Sequence, residues 1–313
     1  MILQTASGAA APVVGVDIGG TKTEICLARL DGARLIKLRE TVLPSRSWRG
    51  ADAAADAASL LAQVRLLVGD SPVAALGVGA HGCDDDAECE TLAAALRARS
   101  ALPLRVVNDA ELMPLAMGRV GQIGLVAGTG SIAVCRTAEG RMISAGGWGW
   151  LIGDDGSAAG LVREAARAVS LALDGGATTE DPLIGLLYHS LGQPELPRLG
   201  STLAGLGTAA AIGAHAPAVF AACDAGSPLA ASVIRAGAEA LAGLVVNLRA
   251  RGSTASHVVA GGSVIVAQPP LWQAFATAVA RRSGGAVTAH LFQGHPVEGA
   301  CRLAADLVTP ALS

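Results

Sequence analysis

Asp17-Ile18-Gly19-Gly20-Thr21-Lys22-Thr23 constrains this chain more than any other stretch. The apolar run Val13-Val14-Gly15-Val16 leads into it, and Glu24-Ile25-Cys26-Leu27-Ala28 leads out. The pattern predicts strand, tight Gly-rich turn, strand. Adjacent glycines carry no Cβ, so such a turn can bring several backbone N–H groups close to a phosphate. The hydroxyls of Thr21 and Thr23 and the ammonium of Lys22 would add donors. Asp17 stands at the strand end, where a carboxylate can hold a hydrated Mg²⁺ against the same phosphates. The stretch is not a P-loop, which needs four residues between its glycines and then opens a helix.

A second element has the same form. Ile123-Gly124-Leu125-Val126-Ala127 precedes Gly128-Thr129-Gly130-Ser131, and Ile132-Ala133-Val134-Cys135 follows. Two phosphate-type hairpins imply a duplicated architecture, each half offering one hairpin to a nucleotide held between them. With 313 residues, about two domains are expected. A 51% hydrophobic share against 16% charged leaves ample material for a core.

The first half reads as strands near 12–18, 23–30 and 34–42, a helix from about 51 to 68, a buried strand at 73–80, a helix at 87–99, a strand at 104–107 and a helix at 110–118. The second half opens alike, with strands near 122–127, 131–137 and 141–145. Helices are expected from 156 to about 173, across 181–223 and over 227–250. A strand at 258–260, a helix near 269–282, a strand near 286–291 and a helix from 297 complete it. The boundary falls near Gly118 to Gly121, giving domains 1–119 and 120–313, with the final helix packing back on the first.

Net charge is −3 with no long basic run, which argues against nucleic acid as a partner. Residues Met1 to Pro12 lack the Lys/Arg and apolar core of a signal peptide. The apolar stretch Leu203 to Cys223 is broken by His215 and Pro217 and reads as packed helices rather than a membrane span. Six scattered cysteines without Cys-x-x-Cys read as reduced thiols of a cytoplasmic protein.

Gly77-Val78-Gly79-Ala80-His81-Gly82 matches a dinucleotide fingerprint literally, but it lies inside the fourth strand and opens no helix directly. Its glycines are expected to admit another backbone or a ligand. Asn108-Asp109 follows a buried strand, so Asp109 is placed to take the proton of an attacking hydroxyl or, alternatively, to cap the next helix. In Gly146-Gly147-Trp148-Gly149-Trp150-Leu151-Ile152-Gly153-Asp154-Asp155-Gly156-Ser157, paired Asp can grip vicinal hydroxyls and a Trp can pack on a sugar face. Helix capping by Asp154 and Asp155 is the other reading. Gly261-Gly262-Ser263 is either a tight strand–helix turn or a bed for a nucleoside.

In that order these motifs resemble the N-acetylglucosamine kinases of the BadF-type ATPase family, within the sugar kinase, actin and heat-shock chaperone superfamily. The resemblance runs from about residue 13 to 300, and its specific part is Gly147-Trp148-Gly149 with Gly153-Asp154-Asp155-Gly156-Ser157-Ala158. It implies an α/β, duplicated actin-like (ribonuclease H-like) ATPase fold with two domains around a nucleotide cleft. It implies ATP and Mg²⁺ as cofactors, Asp17 holding the metal through water, and Asp109 as base on the sugar hydroxyl. Gly19, Gly20, Thr21, Lys22, Gly128, Thr129, Gly130 and Ser131 would grip phosphates, and Gly261 and Gly262 would pass under the nucleoside. Asn108, Asp109, Gly147, Asp154, Asp155 and His81 would form the sugar side. The activity implied is phosphorylation of N-acetylglucosamine or glucosamine at the 6-hydroxyl, in amino-sugar salvage, by a cytoplasmic homodimer without a membrane partner.

The chain departs from the family at three points. Ile132 replaces the Asn of the animal enzymes, Asp155 replaces the usual Glu, and His81 replaces a small residue. A kinase for another hexose, an activator ATPase of the acyl-CoA dehydratase or reductase type, and a sugar-sensing regulator are the alternatives. Scattered cysteines weigh against the activator, and the few residues ahead of the first strand weigh against the regulator.

Overall fold

The structure, a computed structural model, describes residues 11–50, 52–192, 195 and 198–308. The expected start of the first helix at residue 51 and most of the Met1–Pro12 stretch lie outside these. The described parts of Met1–Gly124, Val134–Ile143 and Gly294–Ser313 form one compact unit. Those of Leu125–Ala133 and Ser144–Gln293 form another.

The first sheet contains β1 (Val13–Ile18), β2 (Lys22–Asp31), β3 (Arg34–Pro44), β4 (Leu76–Ala80) and β5 (Leu104–Asn108), in the order β3-β2-β1-β4-β5. β1 pairs antiparallel with β2 and parallel with β4, which pairs parallel with β5. β1 and β4 are buried at every position, and Asp17 of β1 is the one charged residue carried into that interior with them. β3 lies at the edge and is the most exposed strand of this sheet.

The second sheet contains β6 (Ile123–Ala127), β7 (Ser131–Arg136), β8 (Met142–Gly146), β9 (His257–Gly261) and β10 (Thr288–Leu291), in the order β10-β9-β6-β7-β8. Counted from its own first strand, this is the order of the first sheet. The duplicated α/β architecture expected from the paired hairpins is therefore present.

Helices α1 (Ala53–Val68) and α2 (Asp86–Arg97) connect strands of the first sheet, and α3 (Leu112–Ala116) follows β5 and leads to β6. Asp52 caps α1 by accepting from the Ala55 amide at 2.8 Å. The helix expected at 110–118 is instead a 3-10 turn over Asp109–Glu111 followed by the five-residue α3. Pro114 has no N–H to continue a ladder, which keeps the element short.

In the second half, α4 (Ala158–Asp174) is followed by α5 (Pro182–Ser190), α6 (Leu199–Leu206), α7 (Ala209–Gly213) and α8 (Ala216–Asp224). The apolar stretch Leu203 to Cys223 is thus three short helices, with Gly207 in the left-handed region ending α6. After these comes α9 (Pro228–Ala250), long and apolar enough by length and composition to cross a bilayer. Its buried residues Ile234, Ala238, Leu241, Val245 and Leu248 recur at helical spacing. It packs against α11 (Pro269–Arg282), α4 and α8 as a core helix. Between β9 and α11 lies α10 (Ser263–Ala267).

The last described helix, α12 (Val297–Asp306), packs on β1, β4 and α3. Glycine makes that approach possible. A Cβ on Gly77 would lie 2.1 Å from the Ala300 carbonyl oxygen, and one on Gly15 would lie 2.5 Å from the Cys301 nitrogen. A Cβ on Gly299 would lie 2.0 Å from the Leu112 carbonyl oxygen. Of the fingerprint-like stretch, Gly77 therefore admits the α12 backbone and Gly79 the Leu112 side chain, whose Cδ1 would lie 2.3 Å from a Cβ there.

Cys26, Cys83, Cys89, Cys223 and Cys301 are free thiols. Scattered in sequence, four of them meet in pairs: Cys301 Sγ donates to the Cys26 carbonyl at 3.7 Å, and Cys89 Sγ to the Cys83 carbonyl at 3.8 Å.

Gly77→Ala should lower stability by about 1–3 kcal/mol through overpacking. Gly185→Ala, in α5 with open space around its Cβ, should be neutral or stabilising by up to about 1 kcal/mol. Denaturant midpoints of the two variants check this. An unchanged Gly77→Ala midpoint would contradict close packing of α12.

Candidate functional site

In the first unit, the hairpin after β1 is closed by the Gly19 amide donating to the Lys22 carbonyl at 2.9 Å. Gly20, Thr21 and Lys22 are exposed at its tip. Thr23 points the other way. It is fully buried, its Oγ1 lies 2.9 Å from Ser45 Oγ, and the Trp48 indole donates to it at 3.1 Å. Its hydroxyl therefore braces the hairpin from behind and is not a phosphate donor. Ser45 completes the brace by donating to the Gly19 carbonyl at 2.8 Å.

Asp17, near the end of β1, is paired in register with Glu24 of β2, and both are buried. Burial, then the charges of Asp109 and Glu24, push the Asp17 carboxyl up to about 7, with Lys22 partly offsetting them. A concentration of carboxylates with so little compensating charge suits a cation. Among the described residues, no three His, Cys, Asp or Glu side chains converge to hold a metal directly. The buried, raised Asp17 carboxyl beside further carboxylates fits Mg²⁺ held through water, which demands few protein ligands. Glu24 also meets His295, its Oε1 lying 3.2 Å from the ring Nδ1.

Asn108 ends β5 and caps the turn that carries Asp109. Its Oδ1 accepts from the Ala110 amide at 2.9 Å, and Glu111 returns a bond to the Asn108 amide. Its Nδ2 donates to the Cys83 carbonyl and to Asp84 Oδ1, each at 3.0 Å. The side-chain amide is fully buried and fully engaged, so Asn108, expected on the sugar, holds the protein's own backbone. Asp109 in turn is freed from capping. Burial raises its carboxyl above the ordinary carboxylate range. His81 and the backbone amides of Ala110 and Asp109 pull it down, and Asp84 pushes it up.

His81 Nδ1 lies 3.8 Å from Asp109 Oδ2, and its ring stands beside Gly20. The first unit thus gathers Asp17, Gly20, His81 and Asp109. It adds Asp84, the first of three consecutive aspartates, Asp84, Asp85 and Asp86. Those three have separate tasks: Asp84 meets Asn108, Asp85 caps α2 through the Glu88 amide at 2.8 Å, and Asp86 pairs with Arg136 at 3.0 Å.

In the second unit, the hairpin after β6 exposes Thr129, while Ser131 is buried. The Ser131 hydroxyl donates to the Asp155 carbonyl at 3.0 Å, so it ties the hairpin to the loop instead of reaching for phosphate. The Ala158 amide donates to the Gly128 carbonyl at 2.8 Å, and the Gly147 amide to the Ser131 carbonyl at 2.9 Å. Hairpin and loop are therefore one hydrogen-bonded block. Ile132 packs under Gly147, whose Cβ would meet its Cδ1 at 3.1 Å.

Asp154 is buried with a φ of 56°, the one described non-glycine residue at positive φ. Burial raises its carboxyl. The Ser131 and Gly149 amides and Arg163 pull it down, and Asp155 pushes it up. Asp155 itself is half exposed and bound to Arg163 of α4. Neither Asp154 nor Asp155 caps α4, because Ser157 Oγ does, accepting from the Gly160 amide at 3.1 Å. Trp148, Leu151 and Ile152 are exposed at the loop tip.

Gly262 has a φ of 109°, and a Cβ there would lie 2.6 Å from the Ala127 carbonyl oxygen. It therefore serves as the tight turn from β9 into α10. Beside it lies a cavity of about 350 Å³, with Thr129 and Ser263 at its edge, Gln268 after α10, and Ala214, Pro217 and Phe220 from the α7–α8 region. Sequence reading missed these walls, since small apolar residues on short helices carry no motif.

Residues 14–304 match the BadF/BadG/BcrA/BcrD ATPase family, and the chain belongs to that family. Among curated proteins it is similar to an N-acetylmuramic acid/N-acetylglucosamine kinase from Clostridium acetobutylicum, at 30% identity over 167 residues. That match covers 52% of this chain, and the chain spans about half (54%) of the relative's length. Among solved structures, a candidate N-acetylglucosamine kinase from Chromobacterium violaceum aligns with a TM-score of 0.63 at 22% identity, covering 96% of this chain and 100% of that one. A ROK family glucokinase from Streptomyces griseus, in complex with glucose and AMPPNP, aligns with a TM-score of 0.58 at 20% identity, covering 95% and 100%. The fold is the one these sugar-kinase structures share.

Asn108→Ala separates a structural amide from a ligand contact. It strips a buried cap and leaves the Cys83 carbonyl unpaired, so stability should fall by about 1–3 kcal/mol. Thermal melting of the unliganded protein checks this. An unchanged melting temperature would return Asn108 to the ligand side.

Proposed function

We propose that this chain is an ATP- and Mg²⁺-dependent sugar kinase acting on the 6-hydroxyl of N-acetylglucosamine or glucosamine. One observation carries the reading. Asp109 presents a mostly buried carboxylate with a raised pKa, relieved of capping by Asn108 and Glu111 and flanked by His81. That is the state a general base needs near neutral pH. Family membership and the apolar cavity beside Thr129 and Ser263, suited to a nucleoside, support it.

In this reading the sugar hydroxyl gives its proton to Asp109 while its oxygen forms a bond to the γ-phosphorus and the bond to ADP breaks. Mg²⁺, when bound, neutralises phosphate charge. Asp17 would hold it through water. Lys22 and the tip amides of the hairpin after β1 would grip phosphates, as would the tip amides of the hairpin after β6. Gly261 and Gly262 position the strand–helix turn beside the nucleoside. Asp154 and Gly147, with Asp155 in a supporting role, orient the sugar. Ile132 supports the loop and leaves an amide of the substrate unread there. A missing neutral hydrogen bond costs about 0.5–1.5 kcal/mol, which weakens binding without abolishing it.

The test is kcat/KM for N-acetylglucosamine, glucosamine and glucose under one set of conditions, with Asp109→Asn beside the wild type. Amino sugars should be preferred over glucose, with N-acetylglucosamine slightly ahead. Asp109→Asn should lose about 10²- to 10⁴-fold in kcat with little change in sugar binding. ATP turnover that no sugar stimulates would point to an ATPase of another kind.

The pH profile gives an independent check. A base works deprotonated, so raising its pKa moves the acid limb of kcat/KM to higher pH. His81 lowers and Asp84 raises the Asp109 pKa. His81→Ala should therefore shift that limb to higher pH and Asp84→Asn to lower pH. Shifts in the same direction would remove Asp109 as the titrating base.

A further inference from the structure

Arg163, on the second turn of α4, has no place in the family motifs on which the kinase reading rests. Its guanidinium is the most heavily engaged group around the sugar loop. Nη1 donates to the Trp150 carbonyl and to the Gly153 carbonyl, Nη2 to the Asp155 carboxylate, and Nε to Glu164 at 3.0 Å. One planar fork thus fixes three points of a six-residue loop. Between two of those points stands Asp154, at positive φ, where a non-glycine residue is held only by its surroundings. The carbonyl of Asp154 lies against α4 itself, since a Cβ on Gly160 would be 2.2 Å from it. Without the fork, two backbone carbonyls and a carboxylate lose this partner, and Asp154 keeps only the Ser157 amide on its carbonyl at 3.1 Å and the Ser131 and Gly149 amides at its carboxylate.

We propose that Arg163 is a positioning residue for sugar recognition: it staples Trp150–Asp155 to α4 and so sets the direction of the Asp154 carboxylate. The proposal rests on the kinase reading for what Asp154 touches, but the staple stands independently of it. The phosphate hairpin keeps its own bonds, with the Gly128 amide on the Gly130 carbonyl and the Ala158 amide on the Gly128 carbonyl. Loss of Arg163 should therefore fall on sugar and spare nucleotide. Lysine offers a point charge that can meet Asp155 but cannot fork onto two carbonyls as well.

The experiment compares wild type, Arg163→Met and Arg163→Lys. Readouts are KM and kcat for sugar and ATP, and acrylamide quenching of tryptophan emission, since two of the four tryptophans, Trp148 and Trp150, lie on this loop. Arg163→Met should raise the sugar KM about 10- to 100-fold, as expected for lost charge-assisted hydrogen bonds. The ATP KM should stay within about 2-fold, and quenching should rise. Arg163→Lys should fall between the two. Equal rises in both KM values, or unchanged sugar KM and quenching in Arg163→Met, would overturn the proposal. So would wild-type behaviour of Arg163→Lys, which would show that charge alone suffices. If the wild type turns over no sugar, the kinase reading fails. The quenching comparison then still decides whether Arg163 holds the loop, and unchanged quenching would sink the staple.

Discussion

A single buried amide organises the chemistry of the first unit. Asn108 meets the backbone after β4, the Asp84 side chain and the turn after β5 at once. A buried primary amide with an unmet donor or acceptor is costly, so the segment after β4 and the turn after β5 can settle only where all of its bonds are made together. His81 follows β4 directly, and Asp109 follows Asn108. The amide that never faces solvent thereby determines how a histidine and a carboxylate face each other. Neither of those side chains needs to contribute to folding, and Asp17 and Asp109 act against it, because each raises the cost of the other's charge. Such local conflicts are tolerated where the surroundings over-determine the geometry.

The second unit solves a different problem. The large side chains of its glycine-rich loop, Trp148, Leu151 and Ile152, are exposed, so packing does not define its path. Hydrogen bonds do it instead: Ser131 to Asp155, Ala158 to Gly128, Gly147 to Ser131, and the Arg163 fork. Glycine at 146, 147, 149 and 156 permits the path, each at positive φ. The result is a loop held by its backbone whose side chains at the tip, Trp148, Leu151 and Ile152, stay in solvent.

The fold was legible because its strands announce themselves. β1 and β4 read as largely apolar runs, and the two Gly/Thr hairpins gave away the duplication, which the structure carries through to a repeated strand order. Legibility stopped at the level of direction and partnership. The sequence shows that Thr21 and Thr23 flank a turn; only the register, with Thr23 opposite Ile18, sends Thr23 inward to Ser45 and Trp48. Asn108 and Asp109 are adjacent and both polar, and either could have capped the turn. The outcome depends on Cys83 and Asp84, some 24 or 25 residues away. Arg163 was invisible because its partners are two backbone carbonyls, which every residue has. Cysteines far apart in sequence, such as Cys26 and Cys301, met because α12 returns to β2.

That return has a consequence for how the protein is made. Residues 13–108 hold every strand of the first sheet, yet the glycine grooves on β1 and β4 are filled by a helix that begins at Val297. During synthesis at about 5–20 residues per second, the sheet would leave the ribosome well before the helix that covers it. For about 10–40 s it would present an apolar face with a backbone-deep groove. Of the two units, the one whose strands are made earlier is therefore completed later, and a nascent chain stalled before residue 297 would be a substrate for chaperones.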